Sequence, residues 1–349
     1  MFDIKSMMRP ELLAAKEYLY ARPEDSLWLD CNESPWDSAV NRYPQPPSEK
    51  LLSTLCTYYK VDNTQLLLTR GSDEGIDILL RLLCRPYQDN IIISSPTFAM
   101  YAVYAKLQGA GIIDIPLMQE QNFKLNFQGI LDAVTPNTKI IFLCSPNNPT
   151  GSLISIEEMS KLCAAVEQQT LVVVDEAYLE FTTQKSMSTL LSKYSNLVVL
   201  RTLSKALGMA GLRMGIVIAN AAIINCLKTI LSPYLFPSLV LEYAESVITT
   251  NKLAIVSDEI NYVLRERDML KQQLQSLPMV KKIWESHANA LFMQVEDAER
   301  IYEQCKKNKI LIRSFAQHSL LKNCLRVSIG LAEQNQKFLD ILQQLSDEK

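Results

Sequence analysis

The stretch KIIFLCSPNNPTG, residues 139–151, joins an unbroken apolar run to a turn. A run of Ile, Phe and Leu with no polar alternation suits a strand covered on both faces. The Pro- and Asn-rich segment that follows is a turn by composition. The same pattern recurs: NIIIS (90–94), LVVVDEAY (171–178), NLVVLRT (196–202) and GIVIAN (215–220) are strand candidates, and QLLLT before TRGSDEG is a further one. Amphipathic segments lie between them. GIDILLRLLC carries Ile76, Leu79, Leu80 and Leu83 at helical spacing, and SIEEMSKLCAAVEQ opens with Ser155 and Glu158, a capping-box pair. Strand–helix alternation predicts an α/β fold with a mostly parallel, doubly wound sheet. Ligands of such sheets sit beyond the carboxyl ends of the strands, so the residues just after each run carry the functional question.

Outside this region the texture changes. Residues 1–40, rich in Pro and Trp, read as an N-terminal arm joining the small domain; residues 41–240 read as a large domain and 241–349 as a smaller α/β domain. In the smaller one a long helical stretch precedes the strand candidates ALFMQV, KILIRS and CLRVSIG and the helices DAERIYEQCKK and AEQNQKFLDILQQL. The 349 residues, 48% hydrophobic and 21% charged, suit an ordinary globular protein with an ample core. A net charge of -3 offers no basic footprint for nucleic acid. No apolar run approaches the about 20 residues of a membrane helix, and MFDIKSMMRPELL lacks the apolar core of a signal peptide. The eight cysteines are scattered with no Cys-x-x-Cys pair, which predicts reduced thiols in a cytoplasmic protein. His287 and His318, the two histidines, lie far from any cysteine pair, so neither a metal site nor a histidine-based triad is expected.

The strand ends are chemically rich. SPTFAMY follows the run at 90, SPNNPTG the run at 139, DEAY the run at 171, and RTLSKALGMAGLRMG (201–215) overlaps the end of the next. Taken singly, Lys205 is an ordinary solvated lysine, Asp175 a loop cap or ion-pair partner and Phe98 a core residue. Ser72 caps a helix whose first turn holds Asp73 and Glu74. Taken together on one rim, they match the needs of pyridoxal phosphate. That cofactor requires a lysine to hold its aldehyde as a Schiff base and a carboxylate on its pyridine nitrogen, so that the ring accepts electrons. Its phosphate favours backbone N–H groups at a helix start, supplemented by arginine.

The segments NESP, YPQP, RGSDEG, PTFAMY, SPNNPTG, VDEAY, RTLSKALGMAGLRMG, HANALF, ILIRS and LRVSIG together resemble the fold-type I pyridoxal-phosphate aminotransferases, from about Leu29 to the last helix. Within that superfamily the likeness is to the histidinol-phosphate aminotransferase family. The resemblance implies a large domain with a mostly parallel mixed sheet flanked by helices, a smaller α/β domain and an N-terminal arm. It implies that Lys205 is the Schiff-base lysine and later the general base, that Asp175 partners the pyridinium nitrogen, and that Tyr178 and Asn148 donate to the phenolic oxygen. It places Phe98 against the pyridine ring. Ser72, Asp73 (through its backbone), Thr202, Ser204 and Arg213 form the phosphate cradle, which Tyr43 of the neighbouring subunit completes in a homodimer with shared sites. Arg313 and Arg326 would bind the substrate's carboxylate or phosphate, with Asn32 nearby. The implied reaction interconverts L-histidinol phosphate and 2-oxoglutarate with imidazole-acetol phosphate and L-glutamate, a step of histidine biosynthesis.

One departure stands out. The family's arm carries a Pro-Tyr pair, whereas this chain reads LLAAKEYLY there, with Ala15 near the expected position and Tyr18 and Tyr20 further on. An aromatic aminotransferase or a phospho-amino-acid decarboxylase would share nearly all the cofactor residues. A ligand-sensing regulator on the same fold would need a basic DNA-binding module before NESP, where about 30 residues leave no room.

Overall fold

The computed structural model describes residues 2–347 apart from Glu24, Gln317 and Ser319. The apolar runs form a seven-stranded sheet among these residues: β1 (Leu66–Arg70), β2 (Asn90–Ile93), β3 (Gly111–Asp114), β4 (Thr138–Cys144), β5 (Leu171–Asp175), β6 (Leu197–Thr202) and β7 (Met214–Ala219). Their spatial order is β1-β7-β6-β5-β4-β2-β3. The β6–β5, β5–β4, β4–β2 and β2–β3 pairs are parallel, while β7 runs antiparallel to both β1 and β6. The sheet is therefore mixed and mostly parallel.

The continuous apolar runs are explained by burial on both faces. Ile141, Leu143, Val172, Val174, Leu197 and Val199 point into one core layer, and Ile140, Phe142, Leu171, Val173, Val198 and Leu200 into the other. Alternate residues of each strand supply opposite layers, as the two-residue period of a strand requires. Each such side chain contributes about 1.5–3 kcal/mol on full burial. Helix Gly71–Leu83 packs Ile76, Ile78, Leu79, Leu80 and Leu82 into the second layer. Helix Ile156–Ala165 opens with the capping box read from the sequence: the Glu158 N–H donates to Ser155 Oγ at 3.1 Å, and the Ser155 N–H donates to Glu158 Oε2 at 3.0 Å.

Two close approaches position the strand ends. A Cβ on Gly215 would meet the Gly71 carbonyl carbon at 2.1 Å and the Ser72 nitrogen at 2.2 Å, so β7 runs directly against the start of helix Gly71–Leu83. Gly71 holds φ +73°, a left-handed conformation that glycine adopts without strain.

The C-terminal region builds a second sheet, β10-β11-β9-β8, from β8 (Val280–Ile283), β9 (Ala290–Val295), β10 (Arg313–Ser314) and β11 (Cys324–Ser328). All its pairings are antiparallel. Helices Thr250–Gln275, Ala298–Lys307 and Ala332–Asp347 cover it through Leu270, Leu274, Ile301, Phe338 and Leu342. The run KILIRS pairs only at its end, because Ile310 and Ile312 instead pack against this core outside any strand.

At the N-terminus, Phe2, Ile4, Met7 and Met8 are buried in the second layer of the large sheet, and the Arg9 N–H donates to Leu82 O at 3.0 Å. Further on, Tyr18, Tyr20 and Tyr43 gather around Tyr234, and Arg22 and Arg42 converge on Glu33 at 3.0 and 3.2 Å. All eight cysteines are free thiols. Among the described residues, no helix is long and apolar enough to cross a membrane.

Candidate active site

The pleat of β5 and the turn after it divide two neighbouring carboxylates between two tasks. Asp175, 3% exposed, accepts from the Ala177 N–H at 3.0 Å through Oδ1 and from the Tyr101 hydroxyl at 2.9 Å through Oδ2. Glu176 instead turns to Arg201 at 2.8 Å and accepts from Ser186 Oγ and the Met187 N–H, both at 2.6 Å. Arg201 also reaches Glu180 at 2.6 Å and covers the Tyr59 ring at 5.1 Å, closing a buried structural network. Asp175 makes no ion pair among the described residues. Burial pushes its carboxyl up to about 6, against the pull of the two hydrogen bonds.

Lys205 follows β6, near enough to Asp175 for each charge to bear on the other. The residue is exposed, and its ammonium lies 5.5 Å from the centroid of the Tyr178 ring. Partial desolvation is the largest cause of its lowered pKa, and the Arg326 and Arg213 charges add to it; Asp175 and Asp73 oppose the shift. Both factors favour a neutral amine, the form that attacks and accepts protons. Tyr178 stays protonated, chiefly through burial.

An anion-ready corner lies beside the lysine. Helix Gly71–Leu83 begins after Arg70 with no side-chain cap, so Ser72 is not the cap its composition suggests; Arg70 pairs with Glu74 at 2.7 Å instead. The first backbone N–H groups are thus left without a side-chain acceptor. Arg213 stands over them, half exposed, with contacts of 3.4 Å to Asp73 Oδ2 and 3.5 Å to Ser204 Oγ. It holds φ +53°, a left-handed conformation uncommon for a bulky residue. Thr202 shapes the same turn by accepting from the Ser204 N–H at 3.1 Å.

The second sheet contributes the far wall. Arg326 on β11 donates to Asn148 Oδ1, so the Asn148 carbonyl is occupied and its amide N–H groups are left to donate elsewhere. The positive charge of Arg326 is felt at both Lys205 and Tyr178. Arg313 pairs opposite Arg326 across β10–β11, is exposed, and has its guanidinium 6.0 Å from the Phe315 ring centroid. The SPNNPTG turn is clamped to this wall a second time, where the His287 N–H donates to Gly151 O at 2.9 Å.

The structure thus gathers Asp73, Asn148, Asp175, Tyr178, Thr202, Ser204, Lys205, Arg213 and Arg326 into one continuous region, with Ser72 at its helix start and Arg313 at its edge. Phe98 joins it through edge-on contact with Tyr101, ring centroids 5.6 Å apart. Asn32 and Tyr43 lie elsewhere, lining a cavity of about 420 Å³ with Glu33, Arg42 and Pro237, and Tyr43 stacks on Tyr234 at 4.3 Å. Two residues escaped the sequence reading. Asn147 ties the turn to the Phe98 segment, accepting from Thr97 Oγ1 at 3.0 Å and donating to Pro96 O at 2.8 Å. Tyr101 donates to Asp175, and only the strand-end position of PTFAMY hinted that it faces the site.

The family model "Aminotransferase class I and II" matches residues 13–342. The histidinol-phosphate aminotransferase of Francisella philomiragia subsp. philomiragia is 40% identical over 349 residues, covering 99% of this chain and 96% of that protein. Among solved structures, the histidinol-phosphate aminotransferase from Clostridium acetobutylicum superposes with TM-score 0.79 at 23% identity, covering 89% of this chain and 92% of that one. The L-threonine-O-3-phosphate decarboxylase from Porphyromonas gingivalis has the same fold, with TM-score 0.74, 23% identity and the same two coverages, 89% and 92%. The chain belongs to the class I and II aminotransferases, which depend on pyridoxal phosphate, and within them to the histidinol-phosphate aminotransferase family.

Proposed function

We propose that this protein transfers an amino group between L-histidinol phosphate and 2-oxoglutarate, in either direction, by a ping-pong mechanism. The observation that carries this reading is Arg326, a half-buried guanidinium that holds Asn148 while its charge reaches Lys205 and Tyr178. A guanidinium in that place serves a carboxylate and a phosphate alike, through the same fork of donors. The family membership supplies the substrate pair.

The residues present fit pyridoxal phosphate. The uncapped start of helix Gly71–Leu83, with Ser204 and Arg213 above it, suits a dianionic phosphate. Asp175, buried without an ion pair, suits a protonated ring nitrogen, whose charge would offset its desolvation. When bound, the cofactor supplies an electron-accepting ring and an aldehyde carbon to which amino groups attach.

Around it, each side chain has a definable task. Lys205 would hold the aldehyde carbon in the resting enzyme, and its neutral amine would take up and return the proton at the substrate's α-carbon. Asp175 would keep the ring nitrogen protonated. Tyr178 and Asn148 would donate to the ring's phenolic oxygen, Asn148 with its amide turned by Arg326. Phe98 would form the platform beneath the ring. Arg313, exposed beside Arg326, would meet the distal anion of the substrate.

We further propose a homodimer in which Tyr43 of each chain reaches the partner's phosphate corner. Its support is that Tyr43 and Asn32 are exposed and line a cavity to which none of the other proposed site residues contributes. The exposed Val40 and Leu239 line the same cavity, and the exposed Leu29 and Trp36 lie close to Asn32 in sequence.

The test is half-reaction spectroscopy on purified protein. Histidinol phosphate should convert the bound cofactor's absorbance from the aldehyde to the amine form, and 2-oxoglutarate should restore it. Lys205→Ala should abolish turnover and remove the covalent attachment seen on borohydride reduction. If histidinol phosphate leaves the spectrum unchanged while an aromatic amino acid shifts it, the substrate reading is wrong. Release of carbon dioxide without an oxo-acid requirement would indicate a decarboxylase.

A further inference from the structure

The phenol that binds Asp175 has no task in the scheme above. Tyr101, on helix Met100–Gln108, is fully buried, and its hydroxyl donates to Asp175 Oδ2 at 2.9 Å. Its ring is held on two sides, stacked on Phe142 at 5.1 Å with an interplanar angle of 8° and edge-on to Phe98 at 5.6 Å and 83°. A phenol in such a place must give its proton to something, and a carboxylate is the strongest acceptor available.

We propose that Tyr101 is a positioning residue, fixing the plane of the Asp175 carboxylate and so the contact that carboxylate makes with the cofactor's ring nitrogen. The inference rests on the assignment of Asp175 given above. With Oδ1 held by the Ala177 N–H and Oδ2 by the phenol, the carboxylate cannot rotate about Cβ–Cγ without losing a hydrogen bond. Each oxygen keeps a free lone pair for a further donor. The same phenol ring abuts Phe98, so one side chain aligns the carboxylate at the cofactor's edge with the platform below its face. The phenol keeps the proton it donates, because burial and the Asp175 charge raise its own titration well above normal. The other titratable groups facing Asp175 are Asp73, Cys144, Tyr178 and Lys205.

The experiment compares the wild-type holoenzyme with Tyr101→Phe, which removes one oxygen and keeps the ring. Loss of one charge-assisted hydrogen bond predicts a kcat about tenfold lower with KM for the amino donor nearly unchanged. The pH at which the bound cofactor's absorbance titrates should move in the variant. Reconstitution with a cofactor analogue carrying carbon in place of the ring nitrogen discriminates the mechanism. With no nitrogen to align, wild type and variant should then differ by less than about twofold. An equal loss with both cofactors would mean that Tyr101 merely supports the fold, and an unchanged kcat and absorbance titration with the natural cofactor would refute the proposal outright. Should Tyr101→Phe not fold, the wild-type holoenzyme suffices: a slowly exchanging downfield hydroxyl proton with Overhauser contacts to Phe98 and Phe142 reports the bond, and its absence counts against it. Failure of the underlying assignment has a separate signature, since Asp175→Asn would then bind the natural cofactor as tightly as the wild type does.

Discussion

Asp175 is a carboxylate whose burial works against the protein until a cation arrives. Its pKa, 3.8 in an unfolded chain, is about 6 in the fold, and burial is the cause. Below 3.8 the group is protonated in both states and costs nothing. Between 3.8 and about 6 the unfolded chain releases a proton that the fold retains, so stability falls as pH rises; above about 6 the loss is complete. The shift from 3.8 to about 6 corresponds to about 3 kcal/mol in the cofactor-free protein. Asp175→Asn should therefore gain on the wild-type apoprotein by up to about 3 kcal/mol between pH 4 and pH 8, while binding the cofactor more weakly. Urea unfolding of both apoproteins at the two pH values measures it, and a pH-independent gap would contradict the burial argument. Asp175 and Lys205 were legible because each comes at the end of a buried run, and Arg213 because it comes just before one, in a combination that one cofactor explains. Tyr101 was not: a tyrosine one helical turn beyond Phe98 in PTFAMY looks like core, and half of that reading is correct.

Where β7 crosses the start of helix Gly71–Leu83, backbone meets backbone, so neither element can yield to a side chain. Gly215→Ala would set a Cβ at 2.1 Å from Gly71 C and 2.2 Å from Ser72 N. The helix start must move, taking the Ser72 and Asp73 N–H groups away from Arg213 and Ser204. The expected cost is about 1–3 kcal/mol of stability from overpacking, together with a cofactor affinity at least about tenfold lower through the phosphate corner. Thermal unfolding and fluorescence titration with pyridoxal phosphate read the two effects. Full affinity in a folded variant would mean that this helix start does not hold the phosphate. The strands beside this crossing were readable because both faces are buried, which leaves no polar residue to interrupt the apolar run. β3 and β8 escaped for the converse reason. Both are short edge strands, GIID and VKKI, whose outer residues face solvent and break the pattern. Nor did hydropathy show that β7 is antiparallel, since strand direction leaves no mark on it.

In the assembled protein the proposed sharing of sites makes a sharper demand than a dimer alone. Under that proposal one chain carries Lys205 and the phosphate corner, while the Tyr43 that completes it would come from the partner. Lys205→Ala removes the amine from a chain's own site, and Tyr43→Ala damages only the site across the interface. Co-expression of the two variants then yields a heterodimer with one site lacking both residues and the other lacking neither. Random pairing puts half of all dimers in this form, so activity should return to about a quarter of the wild-type level at limiting cofactor. The Lys205→Ala homodimer stays inactive, and the Tyr43→Ala homodimer should need about tenfold more cofactor, the loss of one hydrogen bond to a charged group. Sites confined to single chains predict a different result. The heterodimer would then hold a dead site and a cofactor-starved one, and mixing would restore nothing. Recovery in the mixture, set against both homodimers at the same cofactor concentration, separates a shared site from two chains that merely touch.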